Sequence, residues 1–363
     1  MRKTQSKKQK TAIMSYKAIS TCLYFSLLAV FLLFLQPVMG QYNFAGVDEM
    51  LQKNEKILGK HVVALVWKDG KIVYKKEIGE DFNGKIQVPI GASGQWLTAA
   101  IAMIYVDEGK LTLDTKAGKL IPILAKYMKA YINLRHCLTH TTGLEAEKSG
   151  IGKLLPKSKF ESLEEEVNYF ATKRQIVTNP QTEFFYSHVG MNIAGRMLEV
   201  VSRKTFDRVV QEKLLRPLKM RATTFFNYDN LFINPSTGAQ STANDYMNFL
   251  VMLLNNGMFE GKRIMSEKAI EEMEKAQFTN LPVKYTPKGT EGLHYGLGSW
   301  LMEEDAQGKG TVFSSPSLTG TWPYIDRKNN YAAILLVKSP SGEQGKEIYT
   351  QFKTAVDEAV GGK

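Results

Sequence analysis

The sequence predicts an α/β fold: an antiparallel five-stranded sheet flanked by terminal helices, with a mostly helical lobe inserted after the second strand. Three observations lead there. Apolar runs with strand spacing lie near both ends of the folded part, at residues 61–78 and 295–338. Short polar turns join the strands within each run, which antiparallel pairing permits and parallel pairing does not. Between the runs, residues 84–288 read mainly as helices and long loops. A chain of 363 residues, 44% apolar, can bury a large core.

Taken in order, the first forty residues stand apart. Arg2, Lys3, Lys7, Lys8, Lys10 and Lys17 form a basic stretch without an acid, and an apolar run follows over 18–35. Val38 and Gly40 are small residues at the spacing a signal peptidase prefers, so residues 1–40 read as an export signal cleaved before Gln41. An uncleaved anchor is the alternative, since about 18 apolar residues can just span a bilayer. Cys22 lies early in the run, which argues against a lipoprotein anchor. The expected location is periplasmic or extracellular.

Residues 41–363 then form one domain, with an α/β part at 41–83 and 289–363 and a helical part at 84–288. Phe44, Val47, Met50, Leu51 and Ile57 suit an amphipathic helix lying on a sheet. Residues 61–67 and 71–78 flank Lys68-Asp69-Gly70, a hairpin signal. An apolar helix is expected over 96–109. Further helices are expected at 163–174, 188–203, 205–215, 244–255 and 266–275, the last two opened by capping-type residues. Strands return at 295–302, 320–326 and 331–338, and a helix at 343–360 closes the chain.

The net charge is +11, and six of those charges sit in the first forty residues, leaving +5. With no basic arm or cluster standing out after the first forty residues, no nucleic acid is expected as a partner. Outside the signal only Cys137 remains, so no internal disulfide can form; its neighbours make it a small buried hydrophobe. His136 and His140 are spaced i, i+4 without the glutamate a zinc helix carries, and read as structural. The run 164–166 reads as a solvated helix face. No metal or cofactor is expected.

Chemistry concentrates at residues 89–100, where small residues enter an apolar helix. A helix N-terminus offers unpaired N–H groups and the positive end of a dipole. There the residues resemble a family. Segments 90–113, 134–144, 185–190 and 241–245, with 216–220 and 320–326, resemble the serine β-lactamase and penicillin-binding-protein-like hydrolases. The branch is that of class C β-lactamases, D-alanyl-D-alanine carboxypeptidases and esterases. The resemblance spans nearly all of 42–360 in the right order and implies the β-lactamase-like fold, with a ligand cleft between its two parts.

It also implies three catalytic motifs, and each is altered. The family's Ser-x-x-Lys becomes Ala92-x-x-Gln95: alanine has no hydroxyl, and an amide is no base. Ser93 is adjacent, but its i+3 partner is Trp96. The family's Tyr-x-Asn becomes Tyr186-Ser187-His188, and its Lys-Thr-Gly becomes Ser315-Pro316-Ser317. Pro316 cannot donate to a sheet ladder, so an edge strand is expected for it. The resemblance places an oxyanion hole at the backbone N–H groups of Ala92 and Leu318, which side-chain replacement would leave in place.

Two functions follow. The first is a pseudoenzyme or binding protein for a small acyl or peptidoglycan-derived ligand, or for a partner protein. Loss of a serine nucleophile costs about 10⁶ in rate. The second is a hydrolase with rearranged groups, Ser93 attacking with Tyr186 or His188 as base. In either case a membrane would be met only through an uncleaved N-terminal segment.

Overall fold

The computed structural model describes residues 42–146, 160–226, 233–317, 319–338 and 345–361. Residues 1–40, read above as an export signal, and Leu318 lie outside these residues.

Helix α1 (Ala45–Lys53) leads into the hairpin of β1 (Val62–Lys68) and β2 (Lys71–Ile78). Asp69 and Gly70 turn it with φ of 52° and 82°, the left-handed pair that matches strand twist. The chain then runs through α2 (Gly94–Asp107), α3 (Leu163–Lys173), α4 (Val189–Ser202), α5 (Ala243–Leu254) and α6 (Glu267–Glu274). Hydroxyl caps start three of them: Ser162 accepts from the Glu165 amide, Thr242 from Asp245 and Ser266 from Ala269. Strands β3 (His294–Tyr295), β4 (Trp300–Glu304), β5 (Gly310–Ser314), β6 (Thr321–Asp326) and β7 (Tyr331–Val337) follow, and then α7 (Gly345–Gly361).

The sheet order is β2-β1-β7-β6-β5-β4-β3, antiparallel throughout. It holds seven strands where the sequence predicts five. Residues 310–314 form an additional strand, and the expected strand over 295–302 is broken in two at Gly298. Gly298 has φ +82°, and a Cβ there would lie 2.6 Å from the Ala99 Cβ. The break therefore lets the chain turn tightly against α2.

Every residue of β7 is buried. It is a central strand covered on both faces, so its sequence, Tyr331-Ala-Ala-Ile-Leu-Leu-Val337, does not alternate. Helix α5 packs on β7, β6 and β1, while α1 packs on α7. Trp322 of β6 stacks on Tyr349 of α7, centroids 4.3 Å apart. Cys137 is fully buried, and burial pushes its thiol pKa well up, which leaves it unreactive. The first and third altered motifs sit at the start of α2 and just after the end of β5.

Candidate functional site

The turn before α2 is fixed from both sides. Val88–Pro89 pairs with Gln240–Ser241, and the Ile90 amide donates to the Ala239 carbonyl at 2.9 Å. Gly91–Ser93 make a 3-10 turn, and α2 continues from it. Gly91 has φ +49°, and a Cβ there would lie 2.6 Å from the Ser317 hydroxyl. Only glycine permits both that backbone and that approach.

Three hydrogen bonds then sew this turn to the segment following β5. The Ala92 amide donates to Ser317 Oγ at 3.2 Å. Ser315 Oγ donates to the Ala92 carbonyl at 3.3 Å. Ser93 Oγ donates to the Ser315 carbonyl at 2.6 Å. Ser317 is itself held in a tight turn: its amide donates to the Thr321 carbonyl at 2.9 Å, and its hydroxyl sits 2.9 Å from Thr319 Oγ1. First- and third-motif positions thus come together, but they bond to one another rather than facing an open space. Ser93 has 0% exposure, and its proton points at a carbonyl.

The expected edge position of Pro316 is not what forms. Strand β5 lies inside the sheet, between β4 and β6, and ends at Ser314. Pro316 falls just beyond it, where a missing N–H breaks no ladder bond.

Gln95 is 2% exposed and points into the interior. Its Nε2 donates to Ser236 Oγ at 3.3 Å, and its Oε1 has no partner among the described residues. From Ser236 a buried polar chain runs on: its amide donates to Asn192 Oδ1 at 3.1 Å, and Asn192 Nδ2 donates to Glu166 Oε2 at 2.7 Å. This corrects the reading of 164–166 as solvated at one residue, Glu166; Glu164 and Glu165 are exposed. Glu166 is buried on the face of α3 shared by Leu163, Val167 and Phe170. Sequence reasoning missed Asn192 and Ser236; the helical phase of Glu166 was the available signal.

The second motif sits in a separate aromatic group. Tyr186 is buried with its ring 5.6 Å from Trp300 and 4.4 Å from His140, centroid to centroid. Burial raises its pKa well above that of a free phenol, so it is no poised base, and its amide donates to the Tyr285 carbonyl at 3.0 Å. His188 is half-buried at the start of α4, its ring 5.6 Å from Phe170.

His140 and His136 have structural work. The Ser187 amide donates to His140 Nδ1 at 3.4 Å, which leaves the proton on Nε2 to meet the Tyr295 hydroxyl at 3.1 Å. Burial lowers the His140 pKa to about 3, so the ring is neutral. His136 completes a capping box with Asn133. Beside the second motif opens a pocket of about 360 Å³. His140, Glu145, Glu183, Phe185, Ser187 and Lys284 line part of it.

A Beta-lactamase family model matches residues 47–355. The chain belongs to the Beta-lactamase family. Among relatives, Protein Rv1367c of Mycobacterium tuberculosis H37Rv is 23% identical, over 76% of this chain and 85% of its own. The D-alanyl-D-alanine-carboxypeptidase/endopeptidase AmpH of Escherichia coli K12 is 22% identical, over 81% of this chain and 82% of its own. A solved Bacteroides dorei DSM 17855 protein assigned as a beta-lactamase superposes with a TM-score of 0.77 at 26% identity, covering 88% of this chain and 99% of that one. In this Beta-lactamase-family chain the Ala92 turn is bonded to the segment after β5.

Proposed function

We propose that this is an exported, catalytically silent member of the Beta-lactamase family that acts by binding. The ligand class is an acyl or peptidoglycan-derived compound, seated beside Tyr186 and the pocket at His140 and Ser187. One observation carries the silence: the Ala92 amide, where a substrate oxygen would be held, is taken by Ser317 Oγ at 3.2 Å. An oxyanion hole works only if its donors face the reacting oxygen. Hydrolysis by Ser93 has the opposite support, because its hydroxyl is buried and spent on the Ser315 carbonyl. Geometry comes before pKa for any base that would activate it.

The carboxypeptidase name of the AmpH relative points to the D-alanyl-D-alanine class of ligand. Export rests on the N-terminal segment of the sequence. The test is thermal unfolding with increasing amounts of a peptide ending in D-Ala-D-Ala. A ligand that binds only the folded state raises Tm with concentration. Such a rise, reduced in Ser187→Trp, which fills the pocket, is expected; a flat Tm up to millimolar peptide contradicts the assigned ligand class.

A further inference from the structure

The surface carries a feature unrelated to the altered motifs. Residues 115–144 contain Lys116, Lys119, Lys126, Lys129 and Arg135 and no acid. In sequence the charges are dispersed, but the fold gathers them. Two short helices, Ala117–Leu120 and Pro122–Lys126, and the return through residue 133 form one unit. The Ala117 amide donates to the Ile132 carbonyl at 2.7 Å, and Lys116 bridges Asn133. Lys129 turns inward and donates to the Ala171 carbonyl at 2.7 Å, fastening the unit to α3. Arg135 pairs with Glu272. Lys116, Lys119 and Lys126 are exposed and make no ion pair among the described residues.

Between the second of these helices and residue 133, apolar side chains face solvent. Met128 is 76% exposed, with Tyr127 and Tyr131 at 40% and 39%. Met128 holds φ +61° as the left-handed residue that closes the preceding helix, its amide donating to the Ala125 carbonyl at 3.1 Å and that of Lys129 to the Leu124 carbonyl at 2.7 Å. Tyrosines favour the headgroup level of a bilayer, and lysines around them favour anionic lipid.

We propose that this unit is a docking surface for an anionic lipid bilayer. Met128 enters the acyl boundary, Tyr127 and Tyr131 sit at the headgroups, and Lys116, Lys119 and Lys126 meet phosphates. The contact is separate from any anchoring by the N-terminal segment. Met128 is chosen as the reporter because its environment changes only if this segment itself is buried.

The test uses the full chain carrying Cys22→Ser and Met128→Cys, labelled at position 128 with an environment-sensitive fluorophore; Cys137 is buried and stays unlabelled. A second chain carries the label at Gln307→Cys, an exposed loop position. If Met128→Cys fails to fold, Tyr131→Cys takes its place. On phosphatidylglycerol vesicles, the label at 128 should shift to the blue and brighten at least twofold, and the label at 307 should not. Phosphatidylcholine vesicles should leave both unchanged. Lys119→Glu with Lys126→Glu should weaken the vesicle response at least about tenfold. An unshifted label at 128, equal shifts on both lipids, or equal shifts at 128 and 307 overturns the proposal. So does an equal shift with soluble polyglutamate, which would indicate an acidic protein as the partner.

Discussion

The amide of Ala92 donates to the hydroxyl of Ser317 across 225 residues of sequence, at 3.2 Å. The turn before α2 and the segment after β5 are therefore coupled, and on the proposed reading Ser317 occupies the place where a substrate oxygen would be held. It follows that Ala92→Ser with Gln95→Lys alone should regain little acylation by a fluorescent penicillin. Adding Ser317→Gly frees the amide. Removal of one oxyanion-hole donor costs about 10²–10³ in rate, so the triple variant should label roughly that much faster than the double one. Equal labelling rates would show that the Ser317 contact is not the obstacle.

Ser93 is predicted to be structural. Ser93→Ala removes the 2.6 Å bond to the Ser315 carbonyl and leaves a buried acceptor without that donor. Urea unfolding should show a loss of about 1–3 kcal/mol. Ligand-induced thermal stabilisation should persist in the folded variant. A variant as stable as the parent would mean that the seam closes without this bond.

The chain from Glu166 to Gln95 gives a pair of opposed outcomes. Asn192→Leu strips Glu166 of a 2.7 Å donor and the Ser236 amide of an acceptor, so a loss of about 2–3 kcal/mol is expected. Gln95→Met removes an amide whose Oε1 has no partner among the described residues, and should be neutral or stabilising within about 1 kcal/mol. Chemical denaturation of both variants checks the contrast; a large loss on Gln95→Met would show that its Oε1 is satisfied in solution.

How much of this was legible in the sequence can be read from particular residues. The β1–β2 hairpin was, because Asp69-Gly70 is turn chemistry that acts locally. The split at Gly298 was not, since it answers to the approach of Ala99 on a helix far away in sequence. Strand β5 escaped because its five residues lie between glycine-containing turns and carry little alternation. The loss of Ser-x-x-Lys and Lys-Thr-Gly was legible as residue types. That the replacements bond to each other was not, because a hydroxyl's partner is set by tertiary approach and not by its neighbours. The sequence reading left both oxyanion donors in place; the structure shows the Ala92 donor engaged.

His140 predicts a pH dependence. Its pKa falls from 6.5 to about 3 on burial, so the unfolded chain binds the proton and the folded one does not. Stability from this group is complete above about pH 6.5 and declines as pH falls toward 3, by up to about 1.4 kcal/mol per pH unit. His136 shifts in the same direction, also by burial, so the contribution of His140 must come from a difference. His140→Asn suits the left-handed backbone at φ +57° and removes the titration. Its stability curve between pH 6.5 and 4 should be flatter than the parent's; parallel curves would mean that His140 is protonated in the fold.

The most direct measurement is intact-mass analysis of the unmodified protein after long exposure to a fluorescent penicillin and, separately, to a fluorophosphonate. A buried Ser93 hydroxyl, an Ala92 without one and an amide held by Ser317 together predict an unchanged mass with both reagents. A stoichiometric acyl or phosphonyl adduct that disappears in Ser93→Ala would contradict the account.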